Sequence, residues 1–242
     1  MTKRFVAPGL GLSDDNDSVV LAWCSSVDAF YGAVRALDNV SVEVLAGQAL
    51  AVVGPSGSGK STLLHCFIGL LVPDGGAVGF EDITLSEEID RRRSAVRLER
   101  MGVVFQFGEL LPELTIRENV ALPRWLIGDS KSAAASAASE LLETFDIEQL
   151  GDRHPTDVSG GERQRAAVAR SLVHEPSVVF ADEPTGSLDS VNADNVIATL
   201  LKRTRANGQA LLLVTHETRF AEQCDRVVTM RDGRIIEPAP NP

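Results

Sequence analysis

A segment rich in glycine and hydroxyl residues carries the residue types that bind phosphate. It covers residues 54–62 and directly follows the apolar run 49–53, so a strand leads into it. Glycines let the backbone curl until successive N–H groups converge on phosphate oxygens. Lys60 adds a positive charge for the β- and γ-phosphates, and the Ser61 hydroxyl can ligate Mg²⁺. The pattern predicts a nucleoside triphosphate site formed by Gly54, Pro55, Ser56, Gly57, Ser58, Gly59, Lys60, Ser61 and Thr62.

The residues after this segment support the same interpretation. Residues 62–68 are largely apolar and predict a buried helix. Its positive N-terminal end would face the phosphates, because the first N–H groups of a helix have no partners within the helix. An ordinary glycine-rich turn is the alternative, but the strand–loop–helix arrangement is the context that phosphate binding requires.

A glycine pair lies at the start of another predicted helix. Ser159, Gly160 and Gly161 would place a hydroxyl and bare N–H groups at that helix end, where anions bind. A helix cap with a polar first turn is the structural alternative. That alternative accounts for Ser159 but not for the whole of segment 158–165.

Two consecutive acids follow an apolar run further along the chain. Residues 178–181 predict a strand, and Asp182 and Glu183 come at its end. In an open α/β sheet, ligands bind beyond the carboxyl ends of the strands. Asp182 would hold Mg²⁺ through water there, and Glu183 would polarise the attacking water.

Segment 158–165, Val-Ser-Gly-Gly-Glu-Arg-Gln-Arg, resembles the signature sequence of the ATP-binding cassette (ABC) family. The resemblance covers roughly residues 19–237. It implies that the nucleotide is also contacted by Ser159, Gly160, Gly161 and Glu162. One departure is Val158, where the family usually has leucine. Because both residues are apolar, we expect Val158 to pack and activity to be retained.

Other family elements follow in the expected order. The resemblance implies that Gln106 belongs to the glutamine loop that touches Mg²⁺, that His216 is the switch histidine near the γ-phosphate, and that Tyr31 stacks on adenine. Segment 187–189 matches the loop that contacts a second subunit. Each residue also has a simpler interpretation when it is considered alone. Gln106 could be a turn residue, His216 a polar residue at a strand end, and Tyr31 a surface aromatic. The implied catalytic set is Lys60, Glu183 and His216, and the implied metal set is Ser61, Gln106 and Asp182.

Three segments narrow the resemblance to one branch of the family. Residues 105–120, 181–189 and 230–234 are similar to those of lipoprotein-releasing, macrolide-exporting and haem-exporting ATPases, the MacB-like branch, which also includes a cell-division ATPase. The ATPases of this branch pair with a four-helix membrane subunit. The apolar side chains beside Gln106 either receive a helix of that subunit or form the core of a helical subdomain; they are Phe107, Leu110 and Leu111.

The expected fold is α/β, with a P-loop NTPase core built on a mostly parallel sheet. Residues 19–53, with breaks at Gly32 and Gly47, predict an N-terminal antiparallel subdomain of short strands, and 76–83 predict a further strand. A helical subdomain is expected at about 110–158, where alanines favour helix. Charged residues 91–100 predict a helix with a solvated face. We expect one domain over 19–237, flanked by flexible tails at 1–18 and 238–242.

Composition excludes several other classes. The chain has 242 residues, 44% of them apolar, which suffices for one nucleotide-binding unit with an inserted subdomain. A net charge of −11 argues against a broad nucleic-acid surface. The sequence contains no run of about eighteen apolar residues, so we expect no membrane span. The N-terminal residues do not have the pattern of a secretory signal. The cysteines are odd in number and far apart, which favours reduced thiols; they are Cys24, Cys66 and Cys224.

The resemblance implies a mechanism and partners. Two copies would form a head-to-tail dimer with two composite ATP sites, and a transmembrane permease subunit would hold the dimer at the cytoplasmic face of the membrane. Nucleotide-driven opening and closing would drive that subunit, most simply for export. The alternatives are a mechanotransmission ATPase of the cell-division type and a soluble non-transport ABC ATPase. The transported substrate has no signature in this sequence.

Overall fold

The computed structural model describes residues 19–236, which form two compact units. The first unit contains the described residues up to Arg97 together with those from Ala210 onward, and the second contains Leu98–Gln209. The predictions for the tails at 1–18 and 238–242 lie outside the described residues. A single domain with a helical subdomain at about 110–158 stays a prediction.

The secondary structure alternates between strands and helices along most of the chain. The strands are β1 (Val20–Tyr31), β2 (Val34–Leu45), β3 (Ala49–Val53), β4 (Gly75–Phe80), β5 (Met101–Val104), β6 (Val178–Asp182), β7 (Ala210–Val214), β8 (Arg226–Arg231) and β9 (Arg234–Ile236). The helices are α1 (Lys60–Phe67), α2 (Asp90–Arg100), α3 (Ile116–Leu126), α4 (Lys131–Thr144), α5 (Gly160–Leu172), α6 (Ser190–Ala206) and α7 (Thr218–Ala221). Short 3₁₀ turns cover 85–87, 148–150 and 155–157.

An antiparallel sheet in the first unit has the strand order β2-β1-β4. The prediction of an antiparallel N-terminal sheet is confirmed, but the prediction of short strands is wrong for β1 and β2, which have 12 residues each. The strands continue through irregularities, one of them between Cys24 and Val27, where Ser26 adopts a φ of 50°. Such bulges interrupt the two-residue alternation from which strand length is predicted.

The remaining strand pairs are mostly parallel, which confirms the α/β class. In the first unit β3 pairs in parallel with both β7 and β8, and β9 pairs antiparallel with β8. In the second unit β5 pairs in parallel with β6. The expectation that 19–53 is entirely antiparallel is therefore wrong for β3. All five residues of β7 are buried, as is typical of parallel strands covered on both faces.

Helix α1 begins directly at the predicted phosphate segment. Gly59 is its N-cap in the left-handed region, with a φ of 100°. The predicted burial of this helix is confirmed, because Leu63, Leu64 and Phe67 are fully buried. The strand–loop–helix order required for phosphate binding is therefore present, with β3 before the loop and α1 after it.

Helices α3 and α4 are each started by a side-chain cap. Thr115 and Glu118 form a reciprocal capping box at α3, so that helix begins at Ile116, within the segment of about 110–158 in which we expected helices. Ser130 caps α4, whose Ala134 and Ala138 are fully buried. Small buried residues allow close approach of neighbouring helices, and α4 packs on α3 and α5.

Helix α2 has the predicted solvated face, with Arg91, Arg92, Glu99 and Arg100 exposed, but two of its arginines contact the protein. Arg93 donates from Nε to the Gly69 carbonyl, 3.1 Å away, and from Nη1 to the Glu88 carbonyl, 2.5 Å away. Arg97 donates to the Ile68 carbonyl at 2.8 Å. These arginines satisfy carbonyl groups at the end of α1 and in the connection before α2, so only part of this charged helix is solvated.

The cysteines are unoxidised. Cys24 and Cys66 are buried and Cys224 is partly exposed, and all three are free thiols. Burial raises the pKa of the Cys66 thiol to about 12 and raises the pKa of Cys24 as well. A protonated, buried thiol is a poor nucleophile, so Cys66 is an inert core residue.

Glu43 is a buried carboxyl group in β2 and makes stability depend on pH. Its side chain is 5% exposed and its Oε1 has no hydrogen-bond partner. Burial raises the pKa of Glu43, although the charge of Arg226 acts in the opposite direction. When a carboxyl has a raised pKa in the folded state, stability is highest below the unfolded pKa and is lost as pH rises through the folded pKa.

We therefore expect Glu43→Gln to raise the free energy of unfolding near neutral pH. The amide has no charge to bury, and the difference from the unsubstituted protein should shrink as the pH falls below the unfolded pKa of about 4.3, where Glu43 becomes protonated in both states. Urea denaturation across this pH range measures the free energy of unfolding of both proteins. Glu140→Gln, at an exposed position, is the control for net charge. Destabilisation by Glu43→Gln at every pH would contradict the expectation.

Among residues 19–236, no helix has the length and apolar character needed to span a bilayer.

Candidate functional site

The phosphate loop of the first unit lies between β3 and α1. Lys60 is 7% exposed, and its Nζ donates to the carbonyl oxygens of Gly54 and Pro55, both at 2.9 Å. The lysine side chain therefore connects the first residue of α1 to the first two residues of the loop. Since an ammonium group has three donors, a phosphate oxygen can take the remaining one.

The loop glycines serve two different purposes. A Cβ on Gly54 would lie 2.2 Å from the Met230 carbonyl oxygen, and one on Gly59 would lie 2.5 Å from the Ala36 carbonyl oxygen. These two glycines are needed because other backbone segments pack closely behind the loop. Gly57 has open space around it and a φ of 78°. From the sequence we expected all three glycines to leave room for phosphate. Only Gly57 has open space around the position of a side chain, whereas Gly54 and Gly59 leave room for neighbouring backbone.

His216 lies at the same edge of the parallel strands as the phosphate loop. The Thr215 N–H donates to the Val52 carbonyl at 3.1 Å, so the chain after β7 runs beside the end of β3. His216 is exposed and follows directly. The structure thus places the predicted switch histidine in the same unit and at the same strand ends as the predicted phosphate loop, which supports a role near the γ-phosphate.

Tyr31 is the last residue of β1 and is 54% exposed. Tyr31 lies at the end of the hairpin formed by β1 and β2, and Asp28 of β1 holds the two strands together. Arg35 forms an ion pair with Asp28 at 2.6 Å, and the Asn39 N–H donates to the same carboxylate at 2.8 Å. Both contacts hold the pKa of Asp28 below its usual value. An exposed ring on a fixed hairpin is suited to stacking on a base, although the stacking itself stays a prediction.

In the second unit, Asp182 ends a strand of which every residue is buried. Asp182 is 6% exposed and its Oδ1 has no hydrogen-bond partner within the described residues. A buried carboxylate oxygen without a donor is costly unless a cation or a bound water satisfies it. The residue therefore fits Mg²⁺ bound through water. Glu183 follows with a φ of 45°, a strained conformation of the kind found at functional sites.

The predicted helix start at residues 159–161 is present, with Ser159 as N-cap of α5. The Ser159 hydroxyl accepts from the Glu162 N–H at 3.3 Å, and the Glu162 carboxylate accepts from the Ser159 N–H at 2.7 Å. These hydrogen bonds lower the pKa of Glu162. Glu162 thus holds the helix start in shape, and a direct contact between Glu162 and a nucleotide stays a prediction.

Three predicted segments meet in the second unit. A Cβ on Gly160 would lie 3.7 Å from the Cβ of Ser187, so the helix start contacts the loop after Glu183. A Cβ on Gly186 would lie 3.9 Å from the Cγ of Gln106. Gln106 itself is exposed. The structure therefore brings Gln106, the acidic strand end and the signature segment to one place.

The two interpretations of the apolar residues beside Gln106 are separated by their exposure. Phe107 is 75% exposed and Leu111 is 44% exposed, while Leu110 is partly exposed. Such side chains do not form the core of the unit that carries them. The core interpretation is therefore wrong for Phe107 and Leu111. Both residues instead form an exposed apolar surface.

Sequence reasoning missed the residues that support these segments. Met230 and Ala36 back the phosphate loop through their carbonyl oxygens, and Asn119 accepts from the Leu111 N–H at 2.7 Å and donates to the Leu114 carbonyl at 3.1 Å. A backbone oxygen can belong to any residue type, so these contacts leave no pattern in the sequence. The one sequence signal for any of them is that Asn119, a polar residue, directly precedes the apolar run 120–122.

Lys60→Ala is expected to weaken ATP binding itself. The substitution removes a charged donor at the β- and γ-phosphates, and hydrogen bonds to charged groups contribute about 1.5–3 kcal/mol, which corresponds to a loss of about ten- to a hundred-fold in affinity. Calorimetric titration with Mg-ATP measures the change. Lys202→Ala, on the exposed side of α6, is the matched control. Unchanged affinity in Lys60→Ala would show that this loop does not cradle phosphate.

Comparison with known proteins agrees with this arrangement. A family model described as ABC transporter matches residues 37–186. The lipoprotein-releasing system ATP-binding protein LolD of Hyphomonas neptunium is 40% identical over 206 residues, which are 85% of this chain and 90% of that protein. An uncharacterized ABC transporter ATP-binding protein of Mycobacterium tuberculosis is 41% identical over 207 residues, 86% of this chain and 83% of that protein.

Solved structures show the same fold. The dimeric ATP-binding cassette MJ0796, in a post-hydrolysis state bound to ADP and Pi, has a TM-score of 0.85 at 32% identity and covers 89% of this chain and 96% of its own. The cassette cbiO1 from Clostridium perfringens, part of the ABC transporter complex cbiONQ, has a TM-score of 0.79 at 26% identity and covers 90% and 87%. The chain therefore belongs to the ABC transporter family as an ATP-binding subunit, an ATPase whose hydrolysis is coupled to transport.

Proposed function

We propose that this protein closes as a head-to-tail dimer around ATP and thereby drives a membrane subunit of the MacB-like exporter type. The observation that carries the proposal is the signature helix start. Ser159 is exposed, and Gly160 and Gly161 present N–H groups without side chains at the positive end of α5. Such an end attracts an anion. In a head-to-tail dimer that anion is the γ-phosphate of ATP held by residues 54–62 of the other subunit.

Each residue has a distinct part in hydrolysis. Lys60 and the loop N–H groups bind the phosphates, and His216 stabilises charge at the γ-phosphate. Glu183 orients the attacking water and accepts its proton. Ser61, Gln106 and Asp182 would hold Mg²⁺, which supplies positive charge beside the phosphates when it is bound. Tyr31 stacks on the adenine and orients the nucleotide.

The nucleotide would control assembly in this scheme. ATP bridges two subunits because its γ-phosphate completes both surfaces, and hydrolysis removes that bridge. The dimer then opens and closes with the nucleotide state. The solved cassette MJ0796, which is dimeric and bound to ADP and Pi, supports this proposal by similarity.

The membrane partner would dock on the exposed apolar residues beside Gln106. Phe107 and Leu111 are exposed, and they follow Gln106, the residue proposed to hold Mg²⁺, by one and five residues. A helix of a four-helix permease subunit could place its apolar face there. The protein would then lie at the cytoplasmic face of the membrane, held by that subunit. Similarity to a lipoprotein-releasing ATPase supports outward transport.

Co-expression with the membrane protein from the neighbouring reading frame tests this proposal. We expect the two proteins to purify together from detergent, and the double substitution Phe107→Ser and Leu111→Ser to release the permease while leaving ATP binding intact. Val191→Ser, at an exposed apolar position on α6, is the control. Purification without any membrane partner would instead support a soluble non-transport ATPase. A stable complex that moves no substrate across vesicles would support mechanotransmission.

A further inference from the structure

The loop that carries Gln106 has an unusual backbone. Gly108 and Glu109 are both in the left-handed region, with φ values of 75° and 44°. The Gly108 N–H donates to the Phe105 carbonyl at 3.1 Å and closes a tight turn around Gln106. Because a non-glycine residue rarely adopts this conformation, other contacts must hold the loop in place.

Arg170 of α5 supplies two such contacts. Its Nη1 donates to the Glu109 carbonyl at 2.9 Å and its Nη2 donates to the Gly108 carbonyl at 2.8 Å. The planar guanidinium group thus forms a hydrogen bond with each of the two residues that have left-handed backbones. Arg170 is partly exposed, and the partial burial of its guanidinium group lowers its pKa.

Gln164 of the same helix holds the other end of the turn. It is 1% exposed, and its Nε2 donates to the Phe105 carbonyl at 3.3 Å. A Cβ on Gly108 would lie 3.3 Å from the Gln164 Oε1 and 3.5 Å from the Ala167 Cβ. Gln164, Ala167 and Arg170 are spaced by three residues and therefore lie on one helix face. That face contacts the loop on both sides of Gln106.

We propose that Arg170 and Gln164 are positioning residues that fix Gln106 relative to the signature segment at the start of α5. One helix would carry the signature segment at its N-terminus and the loop of Gln106 along its side. Movement of either segment would then be transmitted to the other, because the helix between them is rigid. This inference rests on the proposed role of Gln106 at Mg²⁺.

Substitution of Arg170 in the full-length protein tests the inference. Arg170→Met keeps the apolar stem and removes both donors. We expect kcat to fall about ten- to a hundred-fold, the loss that follows from hydrogen bonds made by a charged donor, and the Mg²⁺ concentration for half-maximal rate to rise. The Kd for ATP should stay within about two-fold, because the phosphate loop is untouched. Arg170→Lys should recover part of kcat, since an ammonium group can reach one of the two carbonyls.

Two further variants keep the test decisive if Arg170→Met folds poorly. Gln164→Leu releases the Phe105 carbonyl and should reproduce the fall in kcat with the same rise in Mg²⁺ requirement. Arg91→Met, at an exposed position in α2, should leave kcat, Kd and the Mg²⁺ requirement unchanged. If Arg170→Met or Gln164→Leu lowers only thermal stability, the residues are structural and the inference is overturned.

A double-mutant cycle with Gln106→Ala separates this inference from the function on which it rests. If Arg170 acts through Gln106, Arg170→Met should lower kcat little further once Gln106 is alanine. Full additivity, with Gln106→Ala itself impaired, would overturn the positioning role and leave the proposed role of Gln106 intact. A normal rate and normal Mg²⁺ requirement in Gln106→Ala alone would overturn both.

Discussion

Glu183→Gln is expected to bind ATP normally and to lose turnover by about 10²–10⁴-fold, the range for removal of a positioned general base. The amide keeps the shape of the side chain but cannot accept a proton from water. The substitution leaves the phosphate loop untouched, so the nucleotide should remain bound. Steady-state phosphate release by the purified complex measures the turnover, and calorimetry measures the affinity.

The same variant should accumulate a closed, ATP-loaded dimer, since the γ-phosphate that bridges the subunits is no longer removed. Size-exclusion chromatography with ATP would show it. Glu140→Gln makes the same change of charge at an exposed position of α4 and should hydrolyse ATP at the normal rate. Near-normal hydrolysis by Glu183→Gln would remove Glu183 from the role of base.

Gly161→Asp is expected to abolish ATP-dependent dimerisation and hydrolysis while the monomer still folds and binds ATP. A carboxylate would stand where N–H groups approach the γ-phosphate, and it adds like-charge repulsion to steric obstruction. Folding should survive because the nearest atom to a Cβ at this position is Cδ2 of Leu188, 2.9 Å away at the end of a flexible side chain. Light scattering with and without ATP measures the association.

Gly161→Ala is the matched control for volume. It makes the same contact with Leu188 without adding charge, so it should weaken dimerisation less than Gly161→Asp does. Mixing Gly161→Asp with Lys60→Ala tests sharing between subunits, because one composite site of the mixed dimer is undamaged. ATP-driven association in the mixture, absent from each variant alone, is expected. Normal dimerisation of Gly161→Asp alone would refute the shared site.

The ATPase family of this protein was predictable because its sequence features lie in short contiguous segments. Residues 54–62 and 159–161 depend on glycine freedom, hydroxyl groups and helix N-termini, all of which are properties of neighbouring residues in the chain. The apolar strand before Asp182 was predictable for the same reason. The strand lengths were not, because bulges such as that at Ser26 break the two-residue alternation without a clear residue signal.

Long-range contacts between side chains and backbone were beyond sequence reasoning. The pattern of segment 91–100 predicted a helix with a solvated face, but not that Arg93 would donate to the Gly69 carbonyl after α1. Phe107 could have been core or surface, and only its 75% exposure decided between them. In both cases the local pattern allows two environments, and the packing of distant segments selects one.

The residue types in contiguous segments thus suffice for the class of fold, the strand–loop–helix arrangement around residues 54–62 and the ATPase family. How Gln106 is held is a different matter: Arg170 binds the carbonyls of Gly108 and Glu109, which lie 62 and 61 residues away in sequence. Every residue has a carbonyl oxygen, so such a contact leaves no mark on the accepting segment. It exists only where the folded chain brings a donor and that oxygen within hydrogen-bond distance.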